Sequence, residues 1–387
     1  MRHRQGFTLV ELLVAMALTM FVMVILSEAF VTGLETFSGL KGIGDMTEKL
    51  RAATTVLRAD LAADHHEGKR RPSDPDYYSN PPKCGFIRIY QGAAALPEGT
   101  DADGIQSFRS GAFPAANPIY GSHILHLSIK RRGSGREDFF TAPVPAGPPA
   151  SPLLTASTTF FNQPADARAQ DNANTYNSQW AEVAYVLVRT GSTSEVNVAN
   201  STLGTPLYAL YRIQRVVVAD NGTINFSATN NQRVPNNNPA NINNANQTRY
   251  AQVSFRPVAL TAGGSLQFNN PSDLTVPGNR AFQPATPGFT TANPASQGAS
   301  LLMTNVISFH VRVLRSGTPL SPQQGGRLID SDFGDVAFDS AGATTAGTIN
   351  TSLGAMSTSF VSGIAVTLRV WDQKTQQTRQ ITVVQDM

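Results

Sequence analysis

Residues 1–26 read Met1-Arg-His-Arg-Gln-Gly6-Phe7-Thr-Leu-Val-Glu11-Leu-Leu-Val-Ala-Met-Ala-Leu-Thr-Met-Phe-Val-Met-Val-Ile-Leu26. A short basic leader ends in Gly6. Apolar residues then run almost unbroken, with one carboxylate, Glu11, near their front. As a helix rising about 1.5 Å per residue, such a run crosses a hydrocarbon core of ~30 Å. A carboxylate at that depth costs roughly 2.5–3.5 kcal/mol on insertion scales, so Glu11 calls for a partner. Arg2 and Arg4 precede the run. Positive charge there keeps that end cytoplasmic and places the remainder on the other side of the membrane.

Two simpler readings compete. A secretory signal peptide would be cut after the apolar run at a small-x-small site, and Ser27-Glu28-Ala29 offers one. A plain anchor would merely tolerate Glu11. Against both, the run is long, it carries Glu11, and helical periodicity continues beyond Ala29.

The segment Gly6-Phe7-Thr8-Leu9-Val10-Glu11 and its apolar run resemble the start of type IV prepilins and of type II secretion pseudopilins. The resemblance implies that a prepilin peptidase cuts between Gly6 and Phe7 and methylates the new amine of Phe7. It also implies that Glu11 pairs with the terminal amine of a neighbouring subunit. Physically, an α-amine is a cation near neutral pH, and opposite charges attract strongly in low dielectric. Either charge left alone there is expensive, so the pair selects neighbour and register.

Beyond the run, Leu34, Phe37, Leu40, Ile43, Met46, Leu50, Ala53, Leu57 and Leu61 recur every three or four residues, as on one face of a helix. Proline is absent before Pro72. Gly33, Gly39, Gly42 and Gly44 each weaken a helix by up to ~1 kcal/mol, which predicts a bend or partial unwinding near 39–44. The stop is expected around Asp64–Gly68, for a helix of about 85 Å in all.

From Gly85 the period changes to two. Strands are expected at Phe86–Tyr90, His123–Lys130, Ala181–Arg189, Leu207–Val218, Asn305–Leu314, Gly363–Trp371 and Arg379–Val384, with Asp372–Thr375 a turn. Their alternation predicts one buried face, hence a mostly antiparallel sheet, or two packed sheets, resting on the helix: an α+β fold. The expected organisation is a leader 1–6, a membrane helix 7–28, an amphipathic continuation 29–66 and a β-rich head 67–387. Thr141–Pro152, Asn230–Asn246 and Gly278–Gly298, rich in Pro, Asn, Thr or Ala, read as loops.

Several head segments resemble J-type minor pseudopilins and W-type minor pilins. They are Ala184-Tyr185-Val-Leu187-Val-Arg189, Leu207-Tyr208-Ala-Leu-Tyr211-Arg212, Leu302–Val313, Gly363–Val370 and the helix end Leu57-Arg58-Ala-Asp60-Leu61. The resemblance implies a minor subunit of a filament's initiating complex. Retention of Glu11 implies a place below the extreme tip.

Signs of catalysis are sparse. There is no P-loop, dinucleotide fingerprint or Gly-x-Ser-x-Gly. His65-His66 are sequence neighbours, which do not face one another on a helix, so a metal there is not expected. Asp330, Asp332, Asp335 and Asp339 form the densest acidic cluster; oxygen ligands in a loop can hold calcium, but the spacing is not an EF-hand and a solvated loop is preferred. Gly133-Ser-Gly135 after Arg131-Arg132 reads as a turn. Cys84 is the only cysteine, so no internal disulfide can form. A net charge of +3 without a basic block gives no footprint for nucleic acid. Charged residues at 15%, with 31 Gly and 24 Pro, suit an extracytoplasmic head with long loops.

The expectation is therefore a non-enzymatic minor pilin or pseudopilin with no cofactor. It would be a single-pass inner-membrane protein with a periplasmic head, incorporated into a filament after processing. Its partners would be prepilin peptidase, other major and minor pilins or pseudopilins, and membrane lipid. The alternative is a membrane-anchored protein whose loops capture cargo or a surface.

Replacing Gly6 by Val, which crowds the scissile backbone, is expected to leave the precursor uncut. Mass analysis of the wild-type mature chain should find N-methylated Phe7 at its start. A chain beginning at Phe30 would establish the secretory signal peptide instead.

Overall fold

The computed structural model describes residues 8–74, 77, 80–91, 96–100, 106–109, 123–143, 175–193, 206–218, 250–257, 266–282, 298–315, 338–340, 361–373 and 375–387. One helix, α1 (Leu9–Ala62, 54 residues), comes first. Strands follow as β1 (Ile87–Gln91), β2 (Leu96–Thr100), β3 (Gln106–Arg109), β4 (His123–Lys130), β5 (Phe140–Pro143), β6 (Thr175–Ser178) and β7 (Trp180–Thr193). The second half holds β8 (Pro206–Val216), β9 (Phe255–Pro257), β10 (Leu266–Phe268), β11 (Ala299–Arg315), β12 (Phe338–Asp339), β13 (Val361–Asp372) and β14 (Gln377–Asp386). Eight strands form one antiparallel sheet in the order β12-β1-β4-β7-β8-β11-β13-β14. The α+β expectation holds, with one main sheet rather than two packed ones. Three two-stranded ribbons, β2–β3, β5–β6 and β9–β10, accompany it.

The seven expected strands correspond to β1, β4, β7, β8, β11, β13 and β14, because each carries enough β-branched and aromatic residues at period two to signal itself. The short ribbon strands gave no such signal. β5 overlaps the start of the proline-rich stretch read as a loop; it pairs Phe140–Pro143 with β6. Gly278–Phe282, also read as loop, is a packed segment in which Arg280 and Phe282 are buried.

α1 lies across one sheet face. Gly42 abuts the β13–β14 turn, where an added Cβ would stand 2.6 Å from Asp372 Oδ2. Arg379 of β14 donates to Thr47 Oγ1 at 3.2 Å. Further on, Asp60 reaches β7 and β8. The Asp64 carbonyl accepts from Lys130 N of β4 at 2.7 Å, and Arg132 pairs with the Asp64 carboxylate. The helix thus enters at the β13–β14 turn and leaves over β4. Met46, Leu50, Ala53, Leu57 and Leu61 bury into one cluster with Tyr185, Leu187, Phe309, Val311, Val366 and Leu368. Each such aliphatic side chain contributes roughly 1.5–3 kcal/mol by leaving water.

The expected unwinding at 39–44 is not found: helix runs unbroken through all four glycines. Gly42 has a steric purpose, admitting the β13–β14 turn, and burial of the turns that follow it holds the helix on the head. The docked stripe begins only at Gly42. Leu34, Phe37 and Leu40, predicted on the same face, are 54–69% exposed. The helix also stops earlier than expected, at Ala62. Ala63 is already extended, and the chain bridges to Lys130 and then, through His66, to Gly85. Gly85, at φ +83°, passes so close to the His65 carbonyl that a Cβ would be 2.0 Å away.

The prediction of one buried face fails for the central strands, which are covered on both. Tyr90, Ile124, Ala184, Val186, Val188 and Ile213 pack with Phe282 on the face away from α1. Phe86, Trp180, Val217 and Leu274 form a further cluster beside Cys84. Polar side chains at alternate positions, such as His126 and Glu182, are therefore interior.

Leu57→Ala, at the centre of the docked face, is expected to destabilise the head by about 2–5 kcal/mol. Leu34→Ala, on the exposed half of the same helix, should leave the denaturant midpoint of the detergent-solubilised chain unchanged. Equal effects would show that docking does not begin at Gly42.

Candidate functional site

The exposed half of α1 starts with a capping box, Thr8-x-x-Glu11. Thr8 Oγ1 accepts from Glu11 N at 3.3 Å. Thr8 N and Thr8 Oγ1 each donate to Glu11 Oε2 at 2.9 Å. Such reciprocal bonds satisfy amides that a helix N-terminus leaves open, and the carboxylate complements the dipole there. Sequence reasoning sought a partner for Glu11 only in another chain; the Ser/Thr-x-x-Glu signature was present and points to this local one. Gly6 and Phe7 lie outside the described residues.

From Leu9 to Leu40 nearly every side chain is exposed, among them Leu13, Leu18, Phe21, Phe30 and Phe37. This is the one helix among the described residues long and apolar enough to cross a membrane. At about 1.5 Å per residue the exposed apolar run spans ~48 Å, more than the ~30 Å of hydrocarbon. Its outer turns, from about Phe30, therefore need cover other than lipid.

The docked half ends in a polar anchor. Asp60, 6% exposed, accepts from Arg212 Nε at 2.6 Å and Nη2 at 3.1 Å, a two-pronged pair, and from Tyr185 Oη at 2.5 Å. Burial opposes the charge of Arg212, but Asp60 outweighs it and raises the guanidinium pKa. Burial beside Asp60 raises the Tyr185 hydroxyl, which stays protonated and donates. Three residues from separate family-like segments, Asp60, Tyr185 and Arg212, thus meet at one point, which their spacing in the chain could not show.

A second interior node lies on the other face. Glu182 accepts from His126 Nε2 at 2.8 Å, Ser254 Oγ at 2.6 Å and the amides of Phe282 at 3.0 Å and Ala281 at 3.2 Å. Burial disfavours its charge, but these donors prevail and bring its pKa down to about 2. Burial keeps His126 neutral despite Glu182. The serine bonds the carboxylate rather than the histidine, and all three are enclosed, so the group is a clamp between β4, β7 and the Ser254 and Phe282 segments.

The residues considered for metals serve packing. His65 bonds the carbonyls of Ser128 at 2.8 Å and Leu61 at 3.1 Å, and His66 Nε2 meets Tyr77 Oη at 2.9 Å. No group of three or more metal-ligating side chains occurs among the described residues. Asp339 binds Arg280 through both oxygens, at 2.9 and 3.0 Å, with Arg88 at 3.3 Å, so it joins two cations instead of a calcium cluster. Asp330, Asp332 and Asp335 lie outside the described residues. The Cys84 thiol is pushed up to about 11 by burial and by Glu67, which suits a packed residue and not a nucleophile.

Residues 1–27 match the prokaryotic N-terminal methylation motif. The chain carries a type IV prepilin-like signal segment. The motif and the one long apolar helix among the described residues support a membrane anchor, and the motif implies processing by a prepilin peptidase and assembly with other pilins. No curated protein and no solved structure matches the chain.

The buried histidines make an acid response measurable. Burial lowers the pKa of His65 and His126, and burial beside His65 lowers that of His66 to about 3. Below pH ~6.5 the unfolded chain takes up protons that the folded head refuses, so stability falls as pH falls. Glu182 adds to this below its ordinary value of 4.5, down to about 2. The urea midpoint of the head should drop between pH 7.5 and 4.5, less steeply in His66→Gln. A flat profile would contradict neutral interior histidines.

Proposed function

We propose that this protein is a minor subunit of a type IV pilus or type II secretion pseudopilus, assembled through α1 into the filament or its initiating complex. The observation that carries the reading is the division of α1. Its first 32 residues carry the methylation motif's apolar run and stand free of the head, while the rest is built into the head. A helix solvated by lipid before assembly and by neighbouring helices after it requires that arrangement, including apolar turns beyond the bilayer's reach.

Processing between Gly6 and Phe7 puts a new α-amine four residues before Glu11. Only Oε2 of Glu11 takes part in the capping box, so the carboxylate retains acceptor capacity for an amine from a neighbour. The head faces the periplasm and the leader the cytoplasm, on the charge of Arg2 and Arg4. The large, irregular head favours a minor over a repeating subunit. The interior polar groups are spent on packing, which favours a structural subunit over an enzyme. The same anchor and loops would serve a cargo-capturing protein, but such a protein has no use for Glu11 or for exposed apolar turns past the membrane.

Glu11→Ala should insert and be processed normally, because the leader and Gly6 are intact. It should fail to co-purify with partner prepilins and fail to support piliation or secretion. Glu11→Gln should be impaired less, since it keeps hydrogen bonding without charge. Full activity of both variants at native expression would remove the assembly role of Glu11.

A further inference from the structure

The two edges of the main sheet differ. At one, β12 is two residues long. At the other, β14 is ten residues long and has only β13 beside it among the described residues. At about 3.3 Å per residue this leaves ~33 Å of backbone whose outward N–H and C=O groups form a template for another strand. Natural edges are blunted by shortness, proline, bulges or charged side chains, lysine above all. β14 reads Gln377-Thr-Arg-Gln-Ile-Thr-Val-Val-Gln-Asp386; it has no proline, lysine or bulge, its cation Arg379 is engaged with Thr47 of α1, its other charge, Asp386, stands at the strand's end, and its register with β13 is unbroken. Val384 is 47% exposed, one of three large apolar side chains outside α1 so exposed among the described residues.

The position of this edge bears on its partner. The turn leading into β14 abuts Gly42, where α1 leaves the head, and Arg379 bonds Thr47. A neighbour packed along the exposed half of α1 brings its own head beside β14. A second copy of this chain does not supply a fitting strand. Antiparallel pairing of β14 with β14 needs a two-fold axis normal to the sheet. That rotation reverses α1, which lies along the sheet face, and would send the two membrane helices in opposite directions. Head-to-tail stacking keeps the helices parallel but offers, among the described residues, only the short β12 edge.

Resting on the subunit reading above, we propose that β14 is paired in the assembly by an edge strand from the head of a different prepilin-like chain, anchored in the same membrane with its helix parallel to α1. Main-chain hydrogen bonds would supply the attachment and alternate side chains the selectivity. On the α1 side these are Arg379, Ile381 and Val383; on the other they are Gln380, Thr382 and Val384, since Thr382 bonds Thr367 away from the helix.

The test uses the full-length chain in a membrane that contains its partner prepilins. Gln380→Lys combined with Val384→Lys places two cations on the exposed side of the edge. Insertion, processing at Phe7 and the unfolding midpoint should be unchanged, while co-purified partner falls at least tenfold. Separately, a photo-crosslinking side chain at Gln380 should give an adduct that maps to a strand in the head of a different prepilin-like chain; this arm adds no charge and stands even if the double variant folds poorly. Wild-type assembly that the double variant matches, or an adduct only with a second copy, overturns the β14 pairing and leaves the subunit reading intact. Failure of the wild-type chain to associate with any prepilin-like protein overturns both.

Discussion

One carboxylate holds the two parts of this molecule in register. Asp60 stands in the last turn of α1 and is gripped by Arg212 from β8 and Tyr185 from β7. A buried anion is costly unless paired and fully hydrogen-bonded, and losing one partner of such a pair costs about 3–5 kcal/mol. The hydrophobic stripe from Met46 to Leu61 would tolerate small slides of the helix along the sheet. The two-pronged bond does not, because its donors sit on rigid strands in the middle of the sheet. The direction in which the free half of α1 points from the head is therefore set by Asp60 at one end and by the close approach of Gly42 to the β13–β14 turn at the other.

That free half has a different physical character from the docked half, though the chain is one helix. Its exposed side chains make few contacts with the head among the described residues, so its local order draws on its length and the Thr8–Glu11 cap. Threonines 19, 32 and 36 return their hydroxyls to the helix's own carbonyls. The head, in contrast, holds its half by burial on a sheet that is itself enclosed on both faces. The division leaves the head's packing independent of what surrounds the free half.

The enclosure of the second sheet face explains the inward polar residues. Glu182 draws the Ser254 and Phe282 segments onto β4 and β7, and Asp339 joins β12 and β1 to Arg280. These connections span from 59 residues of sequence, Arg280 to Asp339, to 251, Arg88 to Asp339, and tie weakly patterned segments to the strands. In sequence such residues resemble solvated positions, because alternation between apolar and polar residues is the pattern of a sheet with one wet face.

The sequence by itself determined the signal segment, the presence of one long helix, the seven main strands and the α+β class. Each of these depends on local chemistry: a basic leader before an apolar run, period 3.6 before Ala62, period two after Gly85. Gly6, Phe7 and Glu11 stand out in the sequence for the same reason, as a motif within a few adjacent residues, and their roles in processing and assembly belong to the proposal. Tertiary structure alone decided where the helix docks, that its glycines do not break it, and that Asp60, Tyr185 and Arg212 meet. It also decided which interior partners His65, His66, His126 and Asp339 bond. The physical reason is range. Backbone preference and hydrophobic period act over a few residues. Burial, ion pairing and edge exposure depend on which distant segments the closed sheet brings together.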